Sequence, residues 1–161
     1  MTPNPFEPPK AKLRDISQGE AAPLWNPNAA ANWSLLFSPV FGALVHMKNW
    51  QALGESAKAA SARVWAMVSL VGIVGAASAS VLLPNITTLD PFSRLLGLSL
   101  LIGWYASSGR AQAAYVKSRF GNEYPRRGWG KPLLLAAASL AAFVGVLAVL
   151  AIIAAAVTHR I

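Results

Sequence analysis

The sequence predicts an all-α fold, a polytopic bundle of membrane helices, and three observations carry that prediction. Only 12% of the 161 residues are charged while 55% are hydrophobic, against about 25% charge in ordinary globular domains. Residues 64–89 and 132–158 hold no charged side chain at all. Small residues also recur at four-residue spacing through every apolar stretch. A soluble helix needs a solvated face, whereas a bilayer asks for ~20 apolar residues to cross ~30 Å of hydrocarbon.

Residues 1–28 form a polar tail rich in proline (Pro3, Pro5, Pro8, Pro9). It is expected to be disordered, either a solvated tail or a docking peptide. Its first 20 residues contain no apolar core, so the expectation is insertion through the first transmembrane segment rather than a cleaved signal peptide. The transmembrane helical domain follows over residues 29–161.

The first candidate span is 29–47, weakened by Asn32, Ser34, Ser38, Pro39 and His46. Proline removes a backbone donor and bends a helix, which a membrane tolerates where neighbours satisfy the freed carbonyl. Full crossing gives four transmembrane helices; the alternative is three plus one re-entrant helix. The second span, 64–83, starts behind Arg63 with Trp65 at interfacial depth and is closed by Pro84-Asn85. Asp90-Pro91 is a good start for the third, a carboxylate cap before proline at the first helical position. Asp90 and Arg94 stand at i,i+4 spacing and are expected to pair weakly. That span covers 91–108, and its helix is expected to continue to Phe120. The fourth, 133–157, is long enough to cross with tilt.

Orientation follows from the basic residues, which short loops retain on the cytoplasmic side. The connections after the first and third spans carry Lys48, Lys58, Arg63 and Arg110, Lys117, Arg119, Arg126, Arg127, Lys131, nine of the 14 basic residues. Both loops are expected in the cytoplasm and the C-terminus outside. A re-entrant first segment would add Lys10, Lys12 and Arg14 to the cytoplasmic side; a crossing one puts the tail outside.

The expected helix-packing strips are Ser34, Ser38, Gly42 in the first span, Gly72, Ala76, Ser80 in the second, and Ser99, Gly103, Ser107 in the third. The fourth has Ala137, Ala141 and Gly145. Residues four apart share a helix face, and small ones let backbones approach closely where lipid removes any hydrophobic advantage. An alanine-rich helix also makes such ladders by chance, so the glycine-containing strip at Gly72 is the more specific.

The loop 110–131 interleaves Arg110, Lys117, Arg119, Arg126, Arg127 and Lys131 with Tyr115, Phe120, Tyr124 and Trp129. In a soluble protein that mixture would suggest nucleic acid. Flanked by two spans, it points instead to anionic lipid headgroups and excludes nucleic acid as the expected partner. Trp50, Trp65, Tyr124 and Trp129 fit an interfacial aromatic belt.

Chemistry finds little material. There is no cysteine, which removes thiol catalysis, disulfides and thiolate metal sites. Outside the tail the acids are Glu55, Asp90 and Glu123, all in loops, and no positioned acid–base pair is visible. His46 and His159 lack a second ligand and read as interfacial histidines, so no catalytic residue, metal or cofactor is expected. A coupled transporter is disfavoured too, because none of the spans carries an ionisable group in its middle. A faint repeat links Ser34-Leu35-Leu36 with Ser99-Leu100-Leu101, Trp50 with Tyr115, and Gly54 with Gly121.

The stretch from Trp25-Asn26-Pro27-Asn28 through Asn32-Trp33-Ser34-Leu35-Leu36-Phe37-Ser38-Pro39 to His46-Met47-Lys48-Asn49-Trp50 and Gly54-Glu55 resembles one found in small uncharacterised proteobacterial inner-membrane proteins. The resemblance covers about a fifth of the chain. It implies a bacterial inner membrane and no known activity. The resulting expectation is a small integral membrane protein acting by protein–protein contact. It would be an accessory subunit, or an immunity-type protein against a membrane-acting toxin, with another membrane protein or itself as partner. The alternative is a passive channel or small-solute carrier.

Overall fold

The structure, a computed structural model, describes residues 22–83, 86 and 89–158. The tail up to residue 21, the Pro84-Asn85 turn, the Asp90 side chain with its expected cap and pairing, and His159 lie outside the described residues. The chain is all-helical. Its elements are α1 (Pro27–Phe37), α2 (Pro39–Ala52), α3 (Ser56–Leu82), α4 (Leu89–Trp104), a π-helical turn (Tyr105–Gly109), α5 (Arg110–Phe120) and α6 (Gly130–Thr158).

The stretch 29–47 is not one continuous helix, which corrects the single helix expected there, and four spans are not confirmed. It is a hairpin of two antiparallel helices. Asn26 starts α1 by accepting from the Asn28 and Ala29 amides, with Pro27 at the first helical position. At the other end Pro39 forces its predecessor out of the helical region, and Ser38 adopts φ 94°. The chain then folds back instead of merely bending. Ala30 meets Phe41 and Val45, while a Cβ on Gly42 would strike Ser34 Oγ, so small residues line the contact. Pro27 ends up beside His46 and Trp25 beside Asn49. Both ends of the stretch therefore sit at one end of the bundle.

Gly54, at φ 74°, turns the chain out of α2, and α3 runs back antiparallel along it. Ala59 and Ala62 cover Met47 and Trp50, while Ala66 meets Ala43. At ~1.5 Å per residue, α3's 27 residues extend well beyond the charge-free part that marked the second span. Helix α4 returns antiparallel to α3, with Ser80 Oγ 3.2 Å from Ser93 Oγ. It passes through the π turn into α5 with helical dihedrals at Trp104 and Arg110, so the expected continuation to Phe120 is present. Gly121, at φ 60°, ends it. The supposed repeat fails at its first half: the α1–α2 unit is broken and folded, whereas the α4–α5 unit is continuous.

Helix α6 begins at the same end as α5 finishes and rests on the hairpin through Leu133 and Ala136. Helices α3 and α6 are long and apolar enough to cross a membrane. Their large side chains mostly point outward: Val71 on α3 is 70% exposed and Ile152 on α6 is 69% exposed. The densest packing instead lies where α1, α2, α3 and α5 meet, at the end bearing the basic loops.

Candidate functional site

The hairpin is held at its base by a buried polar network that starts from Asn49. Its Oδ1 accepts from the Trp25 amide at 3.0 Å, and its Nδ2 donates to the Trp25 carbonyl at 2.8 Å and to Gln112 Oε1 at 3.0 Å. Gln112 Nε2 in turn donates to the His46 carbonyl at 2.8 Å. Asn49 and Gln112 are both buried, and a buried amide is tolerated when its donors and acceptors are used. One side chain on α2 thus copies the pairing of a β-strand to hold the incoming chain, and one on α5 locks the arrangement.

His46 is fully buried rather than interfacial. Its Nε2 lies 3.2 Å from the Pro27 carbonyl, and since a carbonyl only accepts, Nε2 carries the proton. Among the described residues His46 Nδ1 has no hydrogen-bond partner, and Trp104 Nε1 and Ser69 Oγ are likewise buried and unpartnered there. The His46 and Trp104 rings are 5.1 Å apart. Trp50, expected in an interfacial belt, is buried too and meets Tyr115 edge-on at 5.1 Å. Trp65 and Trp129 are half-buried, against Gly103 and Phe41.

The π turn aligns α4 with α5. Trp104, Gly109, Gln112 and Val116 are all buried, at successive spacings of five, three and four. An unbroken α-helix would carry the first of these off the face of the others; the wider turn restores it. The third packing strip is corrected too, the π turn accounting for Ser107 alone, since Ser99 and Gly103 both precede it. Ser99 and Ser107 are exposed, and Ser107 Oγ bonds back to the Gly103 carbonyl of its own helix. Gly103 does meet a neighbour, a Cβ there lying 3.3 Å from Trp65. In the second strip Gly72 faces Leu100, Ser80 faces Ser93, and Ala76 between them is half-buried.

The basic residues are spread over the same end. Arg110, Lys117, Arg119, Arg126 and Lys131 are exposed and Arg127 is half-buried. Arg127 lies over the Trp25 ring at 4.7 Å, and Arg119 over Tyr115 at 5.8 Å. Glu55 is engaged by the Tyr115 hydroxyl at 2.9 Å and by Lys58 at 3.2 Å. Those two contacts hold its carboxyl below the usual range. Among the described residues no three His, Cys, Asp or Glu side chains converge.

Between α2, α3 and α6 lies a cleft of about 730 Å³. Its walls are Leu44 and Val45, Leu70 and Val74, Leu140 and Phe143, and Trp25, Lys48 and Lys131 stand at its basic end. Nothing in the sequence pointed to it, because its walls come from three separate helices. The buried amides were also missed, although His46 and Asn49 stand three apart and so share a face. No protein-family model, curated protein or solved structure matches the chain.

Proposed function

We propose that the chain is an integral protein of the bacterial inner membrane that works by contact with a neighbouring membrane protein, without chemistry. It would be an accessory subunit or an immunity-type protein. In this reading α3, the α4–α5 helix and α6 cross the bilayer while the α1–α2 hairpin re-enters from the cytoplasmic side. The basic loops then lie in the cytoplasm and the C-terminus outside. The hairpin supports that placement, since Leu24 pairs with Pro125 and Arg127 beside the basic loop.

The observation that carries the functional reading is the outer face of α6. No residue of its most apolar stretch is buried. Ala137, Ala141 and Gly145 are exposed, and a Cβ on Gly145 would meet nothing within 4 Å. A small-residue face left open suits a second helix, since close backbone approach is what such faces offer in lipid. A channel or carrier needs a continuous polar path, and the cleft is walled by apolar side chains along most of its length.

A photo-crosslinking residue at Ala141, in native membranes, tests this reading. It should give a discrete protein adduct, and one at Val146, about 140° round the helix, should give lipid adducts alone. Lipid adducts at both positions would refute it.

A further inference from the structure

We infer that the cleft between α2, α3 and α6 is a binding site for one anionic diacyl phospholipid of the leaflet at the basic end. Lys48 and Lys131 would hold its phosphate, and the apolar walls its acyl chains. The inference rests on the membrane placement above, but not on the partner helix. Ala141 is about 140° round α6 from Ala136, which lines the cleft.

Three features select this occupant. The first is depth. From Lys131 at the mouth to Phe143 at the inner end α6 rises twelve residues, or ~18 Å at 1.5 Å each. One leaflet of hydrocarbon is half of ~30 Å, so the cleft is about one leaflet deep.

The second feature is access. Leu70 and Val74 on one wall and Leu140 on the other remain 47%, 38% and 46% exposed. The cleft therefore opens sideways, where a lipid can enter without leaving the bilayer. Its volume falls within the ~300–1,000 Å³ of ordinary ligand sites.

The third feature is charge. Lys48 is the last cation of α2 and Lys131 the first of α6, and both border the same end of the cleft. Both are exposed, and among the described residues the ion pair formed is Lys58 with Glu55, which involves neither. Arg127, over the indole of Trp25, adds a third cation beside the mouth. Two ammonium groups above an apolar slot, neither in an ion pair among the described residues, match a phosphodiester above two acyl chains. A transmembrane helix in the same slot would leave both lysines without a counter-charge.

The test is native mass spectrometry of the full chain in mild detergent, titrated with dioleoylphosphatidylglycerol or dioleoylphosphatidylcholine. The anionic lipid should bind at least about tenfold tighter, and Lys48→Gln with Lys131→Gln should weaken it roughly 30-fold, as for two cations at a membrane surface. The same pair should leave the zwitterionic lipid unchanged. Lys58→Gln with Arg63→Gln, in the same charge class but away from the cleft, should leave both lipids unchanged. Val74→Trp, which fills the slot, should weaken both.

Equal losses in the two double variants would reduce the effect to diffuse surface attraction and overturn the site. Displacement of the lipid by glycerol phosphate at equal concentration would overturn the role of the acyl chains. A polypeptide crosslinked from Leu140 in place of lipid would overturn the occupant. Membrane insertion is scored separately by carbonate extraction, so failure of the membrane reading is distinguishable from failure of the lipid site.

Discussion

Asn49→Ala removes three hydrogen bonds at once, two to the Trp25 backbone and one to Gln112. Gln112 Oε1 is then stranded in a fully buried position, at a cost of about 1–3 kcal/mol. The Trp25 groups are half-exposed and regain water, so each of those losses is nearer the net ~0.5–1.5 kcal/mol of an ordinary hydrogen bond. The sum is about 2–6 kcal/mol. A lower bound comes from hydrogen bonds between membrane helices, which average ~0.6 kcal/mol each and give ~2 kcal/mol for three. Thermal unfolding in detergent, followed by fluorescence of the buried Trp50 and Trp104, should show a midpoint lowered by roughly 4–24 °C. Limited proteolysis should cut near residue 25 well below that midpoint. Gln112→Ala should be destabilising by itself, and the double variant less harmful than the two losses added, by ~0.5–3 kcal/mol of coupling. An Asn49→Ala protein melting within about 1 °C of wild type, with no new cleavage, would refute the claim that this network holds the hairpin.

Gly42→Ala should destabilise by about 1–3 kcal/mol through overpacking, because the new methyl would collide with Ser34 Oγ and lie 2.8 Å from Trp104 Cζ2; an unchanged melting point would show that α1 and α2 are not so closely apposed. The depressed Glu55 pKa makes its contribution present above the ordinary 4.5 and lost as pH falls through the folded value. Tyr115→Phe should therefore flatten the acid limb of a stability–pH curve, and an identical limb in both proteins would reject the coupling. In a chain without native cysteine, single cysteines at Pro23 and Glu123 should react with an impermeant maleimide from the same side of the membrane, and labelling from opposite sides would restore a crossing first segment.

The long apolar helices were legible because a charge-free run is a property of the residues alone. Their ends were less so: α3 starts at Ser56, eight residues before the apolar run at Val64, since Ser56–Arg63 is helical by packing against Trp50 and Met47. The hairpin was half-legible. Pro39 announced an interruption, but whether a proline kinks a helix or lets it fold back depends on what waits on the other side. Here Ala30, Ser34 and Gly42 admit the close contact, and Asn49 and Gln112 hold the base, partners that no local window joins. The π turn was illegible for a similar reason. It exists because Trp104 and Gln112 both face the hairpin, and its one local trace is Gly109, where a Cβ would lie 2.8 Å from Tyr105.

The reach of the Asn49–Gln112 bond has a consequence for biosynthesis. The two residues are 63 positions apart, so at ~5–20 residues per second the ribosome delivers Gln112 roughly 3–13 s after Asn49. During that interval the amide that will tie the hairpin down has half its partners missing. A segment committed to the middle of the bilayer would have to hold those groups in hydrocarbon. A hairpin that docks from the aqueous face can keep them wet until α5 arrives. The order of manufacture thus favours the hairpin as the last piece set in place, although it is made before the other described helices.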